Sequence, residues 1–179
     1  LTTGQVAALT TAQIAAMPAT SVAKLETADI AALGTGQVAA FGSAQVAALT
    51  TAQVAAIETA DLAALTTAAL KGLTTAQVPA LTTAQVGALT TAQVASIAST
   101  LVGKLGTAQV VALTAPAITA LTTAQMGALT TAQISALTTT QIAALETVDI
   151  KALSTAQVAA FTTSQIGAMS SAQVNALFL

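Results

Sequence analysis

Cysteine, histidine, tryptophan, tyrosine and arginine are all missing from this 179-residue chain. Each absence removes a class of chemistry. Without cysteine there is no disulfide and no thiol nucleophile. Without histidine there is no side chain whose ordinary titration falls near neutrality, and most transition-metal ligand sets are gone. Charged residues make up 6% of the chain, the only cations are four lysines, and the net charge is −2. No basic stripe exists to neutralise phosphates, so no nucleic-acid partner is expected. Aromatic residues are 2%, and about half of the apolar fraction is alanine, leaving few side chains large enough to fill a thick globular core. The mean hydropathy of +0.83 raises the question of a membrane span. Threonine or glutamine interrupts the apolar residues every few positions, however, and no apolar stretch reaches the roughly 18 residues a spanning helix needs. Nor is there a cationic face for a surface-lying helix. No signal segment is apparent, and a start at Leu1 without methionine suggests processing or excision from a longer array.

What the chain has is one register of eight residues, kept from end to end, with consensus Leu-Thr-Thr-Ala-Gln-Val-Ala-Ala. Position one is always bulky and apolar, as at Leu1, Leu9, Leu49, Leu81, Leu129 and Leu177. Position six is the same, as at Val6, Ile14, Val54, Val86 and Ile134. These two columns are the expected core. Twenty-two octads and a three-residue end, Leu177–Leu179, account for the chain without insertion or linker. The organisation over 1–179 is therefore a single array.

The period restricts the fold. Eight residues of continuous α-helix advance about 800°, or about 80° beyond two full turns. The apolar stripe would wind around such a helix too fast for any partner to follow. In a flat strand, positions one and six point to opposite faces. The expectation is an all-α solenoid of very short helices, one per octad, with a sharp turn between octads. Local chemistry favours it: with threonine at position two as N-cap, glutamine falls at N3 and completes a Thr-x-x-Gln capping box, while leucine and valine form the hydrophobic staple. Thr50 with Gln53, Thr82 with Gln85 and Thr130 with Gln133 are the pairs assigned to this role. The nearly constant threonine or serine at position three leaves a cap one residue later open. Gly34, Gly42 and Gly106 at position two fit a turn there. Pro79, inside its predicted helix, opposes the reading. The alternative is a β-solenoid with two octads per coil, against which stands the abundance of alanine.

One octad buries one leucine-like and one valine-like side chain, about 3–6 kcal/mol together. Ordering its eight residues costs about 12 kcal/mol. A lone octad cannot fold, and stability must come from stacking. The outer surface would be alanine and threonine, with little charge to oppose self-association. Self-association into a homo-oligomer or filament is thus expected.

All six acidic residues fall in three octads, as Glu26/Asp29, Glu58/Asp61 and Glu146/Asp149, glutamate at position two and aspartate at position five. Such pairs are candidates for contributing to a Ca²⁺ site, since hard cations take oxygen ligands. They are read instead as alternative helix starts, with aspartate in the first turn favoured by the helix dipole. No other cofactor is expected, and no catalytic constellation is present. The glutamine column is read as a series of separate caps, with a hydrogen-bonded ladder between coils as the alternative.

The octad resembles the Leu-Thr-Thr-x-Gln-Val-x-Ala-Leu arrays of very long bacterial surface or secreted proteins of adhesin type. That resemblance implies an extracellular or cell-surface location, a fibre or stalk, and attachment to a surface or matrix. The opening of transcription-activator-like effector repeats is also similar, but their base-reading loop and basic residues are missing, so DNA recognition does not carry over. The expected function is a structural, non-enzymatic fibre. The alternative is an ice- or surface-binding module presenting regular threonines.

Overall fold

The computed structural model describes residues 2–178. The seventh octad shows how each unit is made. Leu49 (φ −60°, ψ 139°) and Thr50 (φ −71°, ψ 162°) are both extended, Thr51–Ala56 are helical, and Ile57 (φ −62°, ψ 129°) is extended again. Two successive residues close to polyproline II geometry redirect the chain between helices. No described residue has positive φ, which is why a turn every eight residues needs no glycine. Gly34, Gly42 and Gly106 lie at N-caps with φ of −84°, −89° and −69°, values open to any residue. The cap sits at position two, not three.

Repeated along the chain, this unit gives, among the described residues, twenty-one α-helices of four to six residues and one 3₁₀ segment, Val78–Ala80. No strand occurs among the described residues. The solenoid of short helices, one per octad, is the observed fold, and the β-solenoid is excluded. Each helix is too short to persist in water alone, and its last turn is closed by an i→i−3 bond such as Ile57 N–H to the Val54 carbonyl at 3.3 Å. Pro79 costs the tenth octad its α-helix but not its turn, because 3₁₀ geometry needs fewer of the bonds that proline removes.

Helices stack at a fixed interval. Thr35–Ala39 packs on Thr59–Ala64, and Thr83–Gly87 on Thr107–Ala112, three octads ahead in each case. Contacts on the other flank reach 28 to 31 residues back, as from Gln37 to the carbonyls of Leu9 and Val6. A coil therefore holds between three and four octads, and each helix seats between two helices of the neighbouring coil. Position six points to the axis: Val6, Ile14, Val54 and Ile134 are fully enclosed, and Val86 nearly so. Leu49, Leu81 and Leu129 at position one are buried beside them, while Leu9 and Leu177 are partly buried. Leu1 lies outside the described residues. Positions two, three and four form the exposed outer surface over most of the array.

Such a core is one continuous axial column of leucine, isoleucine and valine. Removing a side chain from its middle leaves a cavity that short helices on all sides cannot close. Ile134→Ala is expected to lower the unfolding free energy by about 2–5 kcal/mol, measured as a shift of the urea midpoint. Among the described residues no helix is long and apolar enough to cross a membrane.

Candidate functional site

No cavity opens among the described residues, so the chemistry of the molecule lies in its buried polar groups. Nearly all of these are the side chains at position five. Gln133 shows their geometry. Its Oε1 accepts the Thr130 N–H at 2.7 Å, and its own N–H donates to Thr130 Oγ1 at 3.2 Å, closing the capping box. Its Nε2 then donates to the carbonyls of Val102 at 3.0 Å and Leu105 at 2.7 Å, in the coil behind.

The same arrangement recurs. Thr50 and Gln53 exchange bonds of 2.7 and 3.2 Å, and Gln53 Nε2 reaches the carbonyls of Val22 and Leu25 at 3.0 and 2.7 Å. Thr82 and Gln85 do so at 2.8 and 3.1 Å, with Gln85 Nε2 on Val54 and Ile57 at 2.9 and 2.7 Å. Even at Pro79, Gln77 keeps the pattern, donating to Val46 and Leu49 at 2.8 and 2.6 Å.

The physical reason is that a helix end exposes carbonyls without intrahelical partners. In this solenoid those carbonyls face the N-terminus of a helix one coil ahead. A primary amide is suited to the gap, because it carries an acceptor and two donors on one carbon. The acceptor serves its own helix start and the donors serve the helix end behind it. From Gln37 onward, each glutamine thus ties two coils together while capping one helix.

Caps and inter-coil bonds, which the sequence presents as alternatives, coexist on the same side chain. The inter-coil partner is backbone rather than another glutamine. A signal for this was present: glutamate completes a capping box as well as glutamine does, yet no glutamate stands at position five. The amide donors, which glutamate lacks, are what the inter-coil bonds from Gln37 onward use. In the first coil, Gln5 and Gln13 make the cap bonds alone.

Aspartate replaces glutamine in the three acidic octads, and the structure uses each one differently. Asp29 Oδ2 accepts the Glu26 N–H at 3.0 Å, a helix-start bond. Asp61 Oδ1 accepts the Thr35 hydroxyl at 2.7 Å from the coil behind. Burial pushes the Asp149 carboxyl above its ordinary range, and the charge of Glu146 pushes in the same direction. Glu58 occupies the N-cap of Thr59–Ala64. Among the described residues no group of three or more acidic side chains gathers to hold a metal ion. The three pairs stand at helix starts, and their aspartates are buried.

The ALTTAQ repeat matches residues 22–56, 54–91, 102–139, 117–147 and 142–178. No curated protein and no solved structure matches the chain.

Proposed function

The chain belongs to the ALTTAQ repeat family, and from that premise we propose that it is a structural element: a non-enzymatic fibre, filament or stalk at a bacterial surface or outside the cell. The observation that carries this reading is the glutamine tie, repeated coil after coil around one unbroken apolar axis. Such a molecule gains length without gaining a pocket, and it resists being pulled apart through a series of buried bonds. The exposed positions are chiefly threonine, with small alanines between them, and so little charge offers little resistance to side-by-side packing. Self-association through these surfaces is part of the proposal.

Negative-stain electron microscopy and sedimentation of the purified chain test it. Uniform filaments are expected, and Thr51→Lys, Thr91→Lys and Thr131→Lys together are expected to disperse them without altering the helical circular dichroism. Separate rods at every concentration would overturn self-assembly. A second reading, presentation of threonines to ice or another surface, draws on the exposed position-three hydroxyls of Thr51, Thr91 and Thr131. Thermal hysteresis that disappears in the same triple variant would favour it.

A further inference from the structure

From the fifth octad onward, thirteen octads carry the glutamine tie and five do not, having Asp61, Ala69, Leu101, Ala117 or Asp149 at position five. Alanine and leucine simply omit the bond. Aspartate is different, because what it offers depends on its proton. By the register that every glutamine keeps, the helix-end carbonyls behind Asp149 are those of Ile118 and Leu121, 31 and 28 residues back. Both residues are buried. A carbonyl edge only accepts, and an ionised carboxylate only accepts, so the two repel rather than bond. A carboxylic acid carries one O–H and can donate.

The two inter-coil aspartates divide on this point. Asp61 accepts the Thr35 hydroxyl at 2.7 Å. Thr123 holds the corresponding place before Asp149, yet no hydrogen bond to the Asp149 carboxyl forms among the described residues; the residue is 3% exposed, and its carboxyl oxygens share in that remaining exposure. The surroundings are simple. Helix Thr147–Lys151 packs on Thr123–Gly127 and Ser171–Ala176, and neither carries a titratable or charged side chain. The same holds for Ala115–Thr119, which bears the Ile118 carbonyl. The charged neighbours are Glu146 and Lys151, on its own octad.

We propose that Asp149 is a proton-operated coil tie: protonated, it donates toward the Ile118 and Leu121 carbonyl edge and closes the seam between the coils; ionised, it leaves that seam held by apolar packing alone. The raised affinity for the proton agrees in direction. The folded state then binds the proton more tightly than the unfolded chain, so stability rises as pH falls through the folded value toward the ordinary aspartate range, and levels off below it. Acidification tightens this one seam of the array.

The test compares the whole chain with Asp149→Asn and Asp149→Gln by thermal unfolding from pH 7 to pH 4. Amide hydrogen exchange of residues 118–124 is read over the same range, corrected for intrinsic exchange rates. The unaltered chain is expected to gain melting temperature on acidification relative to Asp149→Asn, with several-fold slower corrected exchange at Leu121–Ala124. Asp149→Gln is expected to be as stable at pH 7 as the unaltered chain at low pH. Identical pH profiles for the unaltered chain and Asp149→Asn would overturn the proposal. So would pH-independent corrected exchange at 118–124, the outcome if the Thr123 hydroxyl already satisfies the ionised group.

Discussion

Gln85→Glu is expected to lower the unfolding free energy at neutral pH by about 3–5 kcal/mol, the cost of leaving a buried charge uncompensated. The substitution keeps size, shape and the oxygen that accepts from Thr82. It replaces Nε2, which donates to the carbonyls of Val54 and Ile57 at 2.9 and 2.7 Å, with an oxygen that repels both. Gln85 is 2% exposed, so water cannot screen the contact. Protonation restores a donor, and the deficit should therefore shrink as pH falls toward the glutamate range, about 4. Gln85→Ala removes the donors without adding a charge and should cost about 2–4 kcal/mol at every pH, through the unsatisfied carbonyls and the lost cap bond. The control is internal. Gln13 makes only cap bonds and is exposed, and glutamate caps as well as glutamine. Gln13→Glu should change stability by no more than about 0.5 kcal/mol. Equal losses at Gln13 and Gln85, read from urea midpoints, would show that the amide acts only within its own helix.

The second large effect concerns glycine. At glycines with negative φ, alanine ordinarily stabilises by about 0.4–1 kcal/mol by restricting the unfolded chain. Four glycines near helix ends should depart from this according to how close the next coil comes. A Cβ at Gly127 would stand 3.6 Å from the Ala152 carbonyl oxygen, an ordinary contact, and Gly127→Ala should be neutral or stabilising. At Gly87 the distance is 3.0 Å and at Gly103 it is 2.7 Å, each to a carbonyl oxygen three octads ahead. At Gly72 the added carbon would collide with the Ser43 backbone itself. Backbone cannot rotate aside as a side chain can, so Gly103→Ala should destabilise by about 1–3 kcal/mol and Gly72→Ala by more. Thermal unfolding of the four variants should rank them in that order, with the sign changing within the series. A uniform gain would mean that the coils separate freely at these points.

These two results mark what the sequence could and could not convey. The period excluded a continuous helix by arithmetic, and Thr-x-x-Gln beside a leucine–valine pair specified a helix start, so one short helix per octad was legible. Coil size was not, because nothing in an eight-residue unit states how many units complete a turn. The partners of Gln133 Nε2 lie 31 and 28 residues back, a distance that only the closed solenoid defines. The exclusion of glutamate from position five was the trace this left in sequence. Glycine was legible in part: Gly34, Gly42 and Gly106 do stand at the turn, with dihedrals that any residue reaches, whereas the tight approaches at Gly72 and Gly103, where two coils meet, depend on contacts the repeat does not state. The acidic pairs were legible as helix starts, and their spacing follows the cap and the tie, the same two positions that threonine and glutamine fill elsewhere.

Because a coil holds a fractional number of octads, no repeat lies directly above another, and every tie is defined by relative offset alone. Insertion of one octad would rotate everything beyond it by part of a turn, yet each glutamine would still meet a valine and a leucine carbonyl in the coil behind. Only bespoke pairs such as Thr35 with Asp61 would lose their match. The array is thus a ruler whose smallest graduation is a single repeat, adjustable in overall extent by one unit at a time without refitting its interior.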